Sequence, residues 1–598
     1  MSLRKEKIIV LAVAFAISFL LYGNSIKGDF VSDDKLTILQ NPLVSGNFPD
    51  LFKAFSSPYY HNQPHAGLYR PFTTASYNLN KIFDSGPLGF HLLNIILNAI
   101  NGFLIFLLVS KLLNKRTAFI AAALFLFLPI HSEAVSAIAG RGELLSFLFS
   151  VSSLIFVLNK RYAVASLLLL AGLLSKETAA GFFLVFLYLW KFREHKTLKQ
   201  TFYNSLYFVP AIMLYAIMRA FVLGKYFIGV DHLMAYNPLK FVPFSHSLWT
   251  SLKVFYLYLL KTVAPTRLSS DYSFNQIPVI QNPFLHYEVY IAGTVLAALI
   301  YIAIKRRENI LGLSVIIFLF TFLPVSNWFI KIGTIMGERL MYAPSLGLAM
   351  LAAVIMQNLK LKAQNKILFF ALHFSLCALF LWYGYIIIDR NKDWKDEASI
   401  ITSGYNASPN SVVSLTNMGF LSFNNKNYQE TSEWAEKALI ILPEHIPSLF
   451  LNGQAKKNLG DLRSAEASWN KMIELNPGHV IAYLSLGILY YEQGQLDKAE
   501  STLEKGFKLE RTWGKAFPLA IVKINLGKYE EAILLIVGNF GTNPDKRELK
   551  FALGLAHLKR GDKQKAEFYL NQIKDPNIDI EDYFKQVINQ KVFKINEY

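Results

Sequence analysis

Apolar runs of about 15 to 22 residues recur through the first 388 residues of this 598-residue chain. A helix needs about 20 such residues to cross the ~30 Å hydrocarbon layer of a membrane. Because 53% of the chain is hydrophobic and only 17% is charged, lipid is the expected solvent for much of it. The sequence therefore predicts an all-α fold that begins with a polytopic membrane helix bundle.

The loops between the apolar runs indicate the orientation. We predict eleven spans, at about 8–22, 88–110, 118–130, 143–158, 162–174, 178–190, 202–221, 286–304, 310–325, 343–357 and 367–388. With a cytosolic N-terminus, the inside loops hold 18 Lys and Arg in 42 residues, whereas the outside loops hold 14 in about 160. Basic residues concentrate on the cytosolic side of membrane proteins. An odd number of spans then places the C-terminal part outside the cytosol.

Three segments need separate interpretations. The first apolar run lacks a small-residue cleavage site after Tyr22, so we expect an uncleaved span. Residues 247–264 are apolar, but Lys253 and Lys261 interrupt them, and a crossing there would reverse the charge pattern. We predict an interfacial or re-entrant helix for this segment, and further interfacial helices at about 46–86, within the first outside loop (23–87).

After residue 390 the apolar runs give way to a repeat. Pro409, Pro443 and Pro477 are 34 residues apart, and Gly419 and Gly453 keep the same step. This period is typical of the tetratricopeptide helix-turn-helix unit, in which small residues let paired helices approach. We predict a membrane domain at 1–390 and a helical-repeat solenoid at 391–598, with about five repeats between 411 and 574. Such arrays present a concave surface to peptides or proteins, although a purely structural cap remains an alternative.

The charge distribution indicates which class of partner the chain binds, and the cysteine count indicates whether it can form a disulfide. The net charge of +18 would fit a nucleic-acid-binding protein, but the basic residues are scattered among short loops rather than gathered on one surface. We therefore expect membrane lipid, and no nucleic acid, as a partner. The single cysteine, Cys377, lies in an apolar run, so no disulfide can form within the chain.

Adjacent aspartates open the first outside loop. Asp33 and Asp34 follow the first span closely. Two neighbouring carboxylates can raise one another's pKa, bind a cation or deprotonate a hydroxyl group. An aspartate can equally cap the helix that starts after it. Spacing alone leaves both interpretations open.

Further ionisable residues lie at the outside ends of predicted spans. Arg and Lys at this depth can hold a phosphate whose hydrocarbon tail stays in lipid, whereas the alternative is contact with headgroups and ordinary loop ion pairs. The residues concerned are Arg70, His131, Glu133, Arg141, Lys176, Glu177, Arg267, Asp271, Glu338 and Arg339.

Several ordered motifs resemble one known family. They are FVSDDKLTILQNPLV, YRPFTTASYNLN, GFHLLNIILNAIN, LPIHSEAVSAIAGRGELLS, LLSKETA, RLSSDYSF, LPVSNWFIKIGTIMGERLMYAPSLG and RNKDWKDEASIITSGYNASPN. The chain resembles the transmembrane and tetratricopeptide-containing O-mannosyltransferases and their bacterial relatives, within the GT-C glycosyltransferase superfamily. The motifs run in family order from about residue 30 to 410, and the repeats extend the resemblance to the C-terminus.

The resemblance implies an inverting transfer of mannose or a similar hexose from a polyprenyl-phosphate donor to Ser or Thr of a protein acceptor, on the non-cytosolic face. It implies that Asp33 or Asp34 is the catalytic base. It makes His131, Arg141, Lys176, Arg267 and Arg339 candidates for the donor phosphate. Arg70, Glu133, Glu177, Asp271 and Glu338 would orient those cations or bind sugar hydroxyls. By the same resemblance a lipid-linked sugar would be the co-substrate, and a divalent cation on the two aspartates is compatible with the family but not required.

The sequence departs from the family in two places. Glu143 stands where family members often have aspartate, and the repeat array is shorter than usual. Chain length and cysteine content favour a bacterial inner-membrane protein with an undecaprenyl-type donor; a eukaryotic member would lie in the ER membrane with lumenal repeats. Two other functions remain as alternatives: a non-catalytic anchored repeat scaffold, and a glycan transporter, which would keep ionisable groups nearer the bilayer midplane.

Overall fold

The computed structural model describes residues 3–61, 63–227, 233–362 and 366–573, and within these ranges every regular element is a helix. The chain divides into two compact units, Met1–Asn417 and Met418–Tyr598. The all-α prediction is therefore confirmed for the described residues. The helices up to the division are α1 (Leu3–Tyr22), α2 (Asp50–Lys53), α3 (Pro71–Phe83), α4 (Pro87–Leu112), α5 (Lys115–Leu126), α6 (Ser132–Ser136), α7 (Arg141–Leu158), α8 (Tyr162–Ser175), α9 (Ala180–Tyr188), α10 (Leu198–Leu206), α11 (Val209–Leu223), α12 (Phe244–Val263), α13 (Tyr287–Lys305), α14 (Ile310–Phe322), α15 (Ser345–Lys362), α16 (Lys366–Arg390), α17 (Glu397–Ala407) and α18 (Val412–Asn424), which the division cuts.

Several of these helices are suited to a membrane. In the described residues five stretches are long and apolar enough to cross a bilayer: Lys5–Lys27, Pro87–Leu112, Ile138–Leu158, Val209–Tyr226 and Tyr287–Lys305. A sixth arises if α5 and the segment Pro129–Ser136, which meet at 56°, count as one broken span. Shorter apolar helices include Tyr162–Ser175 and Ile310–Val325. The protein is thus a multi-pass membrane protein, while the predicted number of eleven spans stays a prediction.

The segment expected to be interfacial or re-entrant is one continuous helix, α12, over Phe244–Val263. Its buried face carries Val254, Phe255 and Tyr258. Lys253, which interrupts the apolar run, forms an ion pair of 3.3 Å with Glu288 at the start of α13. The pairing removes an isolated charge from apolar surroundings. The position of α12 relative to the bilayer stays a prediction.

A polar stripe runs along the apolar helix α4. His91, Asn94, Asn98 and Asn101 recur at helical spacing, and all four are buried. Asn94 donates to backbone carbonyls at 135–138, and the Asn98 amide oxygen accepts from the Tyr342 hydroxyl at 2.8 Å. Irregular backbone inside a membrane protein needs such internal partners because lipid offers none. The stripe therefore fixes the short turns between α5 and α7, where the candidate site lies.

The residues that follow 390 pack with the first compact unit, which contains the apolar helices. Trp394 and Ile400 pack with Val31 and Ala137 in one apolar cluster. Residues 391–417 consequently lie on the bundle side of the division, whereas the sequence character changes at 390. The difference arises because polar helices can pack on the end of a bundle without resembling its spans.

The second unit continues the repeat that begins with α18. Its helices are α19 (Tyr428–Ile441), α20 (Ile446–Asn458), α21 (Leu462–Leu475), α22 (Val480–Glu492), α23 (Leu496–Leu509), α24 (Trp513–Asn525), α25 (Tyr529–Phe540), α26 (Arg547–Arg560) and α27 (Lys563–Leu570). With α18 they form five successive helix pairs in the described residues, as the 34-residue period predicted. Residues 574–598 of the predicted polar tail lie outside the described residues.

The repeated glycines explain how the paired helices approach. A Cβ on Gly487 would lie 2.4 Å from the Leu503 side chain, whereas a Cβ on Gly538 would meet nothing within 4 Å. Contacts that short require the neighbouring side chain or helix to move. The glycine at this position, present in four of the five described pairs and replaced by Ala520 in α24, therefore sets the distance between the two helices of a pair.

We expect Gly487→Ala to destabilise the α22–α23 pair by about 1–3 kcal/mol through overpacking. Hydrogen exchange of backbone amides in the full-length chain should then show faster exchange in both helices. Gly538→Ala is the matched control, since it fills open space within α25 and should slow exchange slightly by its better helix propensity. Equal exchange of α22 and α23 in Gly487→Ala and the wild type would contradict this explanation.

Candidate active site

The two adjacent aspartates have different environments. Asp34 is buried, and its carboxylate accepts backbone N–H groups of Val31 (3.2 Å) and Ala139 (2.7 Å). Ser32, just before the pair, has φ 51, a left-handed conformation that is uncommon for a residue with a side chain. This turn directs the two side chains to different partners. Asp34 thus joins the first outside loop to the turn before α7.

Burial raises the pKa of Asp34 to about 7; the Asp33 charge acts in the same direction, and the two backbone hydrogen bonds oppose it. A buried acid of this kind prefers to be neutral. Its stabilising contribution is complete below about pH 4, the ordinary pKa of aspartate, and is lost as the pH rises through about 7. We expect Asp34→Asn, which cannot ionise, to lower the unfolding midpoint of the full chain more at pH 5 than at pH 8. Unfolding followed by intrinsic fluorescence measures this, and an equal effect at both pH values would contradict the raised pKa.

Asp33 keeps about a third of its side chain exposed and pairs with Arg339. The Arg339 Nη1 atom lies 3.2 Å from Asp33 Oδ2. Arg339 also contacts the buried Glu133, through its backbone N–H (2.9 Å) and its Nε atom (3.5 Å). Three distant segments therefore meet here: the first outside loop, α6 and the turn Glu338–Met341. The Arg339 Nη2 atom has no hydrogen-bond partner within the described ranges.

A second ion pair joins α3 to the turn after α8. Arg70 donates from Nε and Nη2 to the two carboxylate oxygens of Glu177, at 3.1 and 2.7 Å. The guanidinium also lies 5.1 Å from the centre of the Tyr59 ring. Burial alone would raise the pKa of Glu177, but Arg70 outweighs burial and holds it at about 2. This bidentate ion pair keeps both side chains charged and fixes their orientation.

A third pair is more deeply buried. Lys176 donates to Glu143, and both side chains are almost fully covered. Burial lowers the pKa of Lys176, Glu143 raises it, and the positive charges of Arg70 and Arg339 lower it further. Lys176 and Glu177 are consecutive residues, so the second and third pairs are neighbours, and Arg339 is close enough for its charge to act on Lys176. We call this set the Asp33 cluster: Asp33, Arg70, Glu133, Glu143, Lys176, Glu177 and Arg339.

Two predicted phosphate ligands lie inside the protein core. Arg141 is fully buried and donates only to neutral oxygens: Asn94 and Asn80 side chains and the carbonyls of Ser76 and Phe90, at 2.9 to 3.2 Å. His131 is also fully buried and shares a 2.8 Å hydrogen bond with Ser345. Neither side chain presents surface to a ligand, and neither enters the function proposed below.

Three more predicted residues lie around residues 267–272. Asp271 accepts hydrogen bonds from the hydroxyls of Ser411 and Ser414, so it holds the start of α18 against the bundle. Glu338 is buried, accepts from the Tyr272 hydroxyl and the Ser269 N–H, and lies 3.7 Å from Arg390. Burial raises the pKa of Glu338 to about 7, against the opposing charge of Arg390. Arg267 is exposed, and its guanidinium has no partner in the described part of the chain.

Sequence reasoning missed two tyrosines beside the cluster. Tyr59 contacts Arg70 as described, and the adjacent Tyr60 is close enough to Asp33 for the carboxylate charge to act on its hydroxyl. Burial, followed by Asp33, raises the pKa of Tyr60 well above its usual value. The only signal in the sequence was an aromatic doublet within a polar loop, which does not by itself indicate a site.

A divalent cation does not fit the two aspartates as they stand. The Asp34 oxygens accept backbone N–H groups, and the Asp33 oxygen is paired with Arg339. No group of three His, Cys, Asp or Glu side chains converges among the described residues. We therefore derive no step through a metal.

Comparison with known proteins bears on both parts of the chain. A tetratricopeptide-repeat family model matches residues 450–507. The chain is 30% identical over 438 residues to a Caenorhabditis elegans protein O-mannosyl-transferase, F38B6.6, covering 70% of this chain and 60% of that protein. The chain is similar to the TMTC-type O-mannosyl-transferase family.

Other members of that family agree. Mouse protein O-mannosyl-transferase TMTC3 is 25% identical over 577 residues, with 86% of this chain and 61% of that protein covered. The chain thus spans about 60% of the length of these curated relatives. Among solved structures, the crystal structure of MamA protein has 18% identity, covers 30% of this chain and 95% of that chain, and gives a TM-score of 0.25, too low to carry an argument.

Proposed function

We propose that the chain is a membrane glycosyltransferase that transfers mannose, or a similar hexose, from a polyprenyl-phosphate donor to Ser or Thr hydroxyls of a protein. The relatives named above are protein O-mannosyl-transferases, which supports the reaction class. The observation that carries the proposal is the Asp33–Arg339 pair. It places a partly exposed carboxylate beside a partly exposed guanidinium, held by residues from three distant segments.

Asp33 is the proposed general base. Its carboxylate would accept the proton of the acceptor hydroxyl while the hydroxyl oxygen attacks the anomeric carbon. The bond between that carbon and the phosphate oxygen breaks, and the lipid phosphate leaves with its electron pair. Attack from the side opposite the phosphate inverts the anomeric configuration. Asp34 would act only by holding the loop, because its carboxylate is occupied by backbone N–H groups.

Arg339 is the proposed contact to the phosphate. Its Nη1 and Nε atoms face carboxylates, and its Nη2 hydrogens are left for phosphate oxygens. Negative charge grows on those oxygens as the glycosidic bond breaks, so a fixed cation there favours the transition state. Lys176, in a buried pair, and Arg70, in a partly exposed pair, support this arrangement while each stays bound to its own carboxylate.

The proposal also includes the side of the membrane on which the sugar is transferred and the way the acceptor protein is bound. The loops that carry the cluster are those the charge pattern predicts outside the cytosol, so transfer would occur on that face. The repeats would bind the acceptor protein. We propose a bacterial inner membrane with an undecaprenyl-type donor, or the ER membrane with lumenal repeats in a eukaryote.

A transfer assay with the purified full-length chain tests this function. We expect radiolabelled sugar to pass from polyprenyl-phosphate mannose to Ser- and Thr-containing peptides, and not from a nucleotide-linked mannose. Mild alkali should release the label from the product by β-elimination, as expected of an O-linkage to Ser or Thr. Equal transfer from the soluble donor, or label stable to alkali, would contradict the proposal.

A further inference from the structure

A second group of cations lies where α12 and α16 end. Lys261 is in the last turn of α12, Arg267 follows that helix, and Arg390 is the last residue of α16. The end of α12 contacts α16 two turns before Arg390, because the Tyr383 hydroxyl donates to the Val263 carbonyl at 2.7 Å. We call these three cations the Lys261 group. None of them has a hydrogen bond or ion pair with a member of the Asp33 cluster in the part of the chain described.

The Lys261 group has unused hydrogen-bond donors. Arg390 has only 7% of its surface exposed, yet its Nε and Nη2 atoms have no hydrogen-bond partner among the described residues. Its Nη1 atom donates to Asp393 and to the Ser403 hydroxyl (3.1 Å), and its Nη2 atom lies 3.7 Å from the Glu338 carboxylate, too far for a hydrogen bond. Buried N–H groups without a partner are costly, so native proteins usually supply one. Lys261 uses one hydrogen on the Arg267 carbonyl and lies 5.1 Å from the Tyr272 ring, which leaves two hydrogens.

An exposed apolar surface borders the cations. On α16, Leu381, Tyr385 and Ile388 recur at helical spacing, with 76%, 69% and 38% of their surfaces exposed. On α12, Leu260 and Val263 are exposed beside them. The side chains on α16 form one face, because residues four and three apart share a side of a helix. Hydrocarbon can cover this face while a charged headgroup lies at its end.

We propose that the Lys261 group binds the phosphate of a membrane lipid whose hydrocarbon chain lies along the exposed face of α16. Phosphate oxygens would accept the unused N–H groups of Arg267, Lys261 and Arg390. An anionic phospholipid and a polyprenyl phosphate share this chemistry. The site does not depend on the transfer reaction, since it is built from residues that the proposed mechanism does not use.

Lipid binding to the full-length chain in detergent tests the site. The probes are phosphatidylglycerol and polyprenyl phosphate, with phosphatidylcholine as the neutral lipid, and native mass spectrometry counts the bound molecules. Each cation near a headgroup contributes about fivefold in affinity, so the double variant Lys261→Gln/Arg267→Gln should bind about 25-fold more weakly. For polyprenyl phosphate, which the proposed donor site also binds, the change should remove one bound molecule. Whichever lipid binds the double variant more weakly than the wild type is the lipid that supplies the phosphate at this site.

Lys240→Gln is the matched control, because it removes an exposed charge that precedes α12, at the opposite end of this helix from Lys261 and Arg267. It should leave binding of both lipids unchanged. Arg267→Gln alone changes an exposed residue outside any helix, so it tests the site even if the double variant folds poorly, with an expected loss of about fivefold. Unchanged binding of both lipids to Arg267→Gln and to a folded double variant would overturn the proposal.

Discussion

Asp33→Asn is expected to reduce sugar transfer about 10²- to 10⁴-fold, because general base catalysis contributes on that order. The amide keeps the shape of the side chain but cannot take the proton of the acceptor hydroxyl. Asp33 is partly exposed and its pair with Arg339 is at the surface of the cluster, so the unfolding midpoint should change little. Initial rates with a saturating lipid-linked donor, measured beside thermal unfolding of the same preparation, give both quantities.

Asp34→Asn makes the same chemical change one residue along the chain and is the matched control. It turns an N–H-bearing amide towards a backbone N–H group at Val31 or Ala139, which cannot pair with it. The expected effect is a loss of about 1–3 kcal/mol in stability at pH 5, with transfer by the folded fraction largely kept. Full activity in Asp33→Asn, together with a severe loss in folded Asp34→Asn, would exchange the roles proposed for the two aspartates.

Arg141→Met should have the largest effect on folding. Its guanidinium supplies hydrogen bonds to four oxygens and contacts the rings of Tyr77 and Phe90 at 4.9 and 5.2 Å. Methionine fills much of the volume but leaves those buried acceptors without donors. We expect a loss of at least about 3 kcal/mol, seen as a lower yield of monodisperse protein and a lower unfolding midpoint.

Arg161→Met is the control for this substitution, because Arg161 is an exposed arginine at the start of α8. Its unfolding midpoint should match the wild type within error. A folded Arg141→Met variant of normal stability that had lost only donor binding would contradict the structural role and restore Arg141 as a phosphate ligand.

The helical repeats could be predicted because their signal is periodic. A 34-residue step in Gly and Pro fixes both helices of each pair, and the five pairs follow. The apolar helices were predictable for the same reason: length and composition are local properties. The end of the bundle was not, since residues 391–417 join it through contacts such as Trp394 with Val31 that no local pattern records.

The candidate site was only partly predictable. Sequence placed Asp33, Lys176, Glu177 and Arg339 on one side of the membrane, and the structure gives them a shared neighbourhood. The sequence could not distinguish the roles of Asp33 and Asp34, because the difference depends on a distant backbone N–H group at Ala139. Nor could the sequence show that Arg141 is buried and donates hydrogen bonds to asparagines of α3 and α4, since a buried and an exposed arginine look alike in a sequence.

A cryo-EM structure of the full-length chain in a lipid nanodisc with a polyprenyl-phosphate sugar is the most direct test of the proposed site. We predict phosphate density within hydrogen-bonding distance of Arg339 Nη2, with the anomeric carbon facing Asp33. Donor density at a distance from Arg339, with Asp33 still closed against its ion-pair partner, would contradict the assignment of this cluster as the active site.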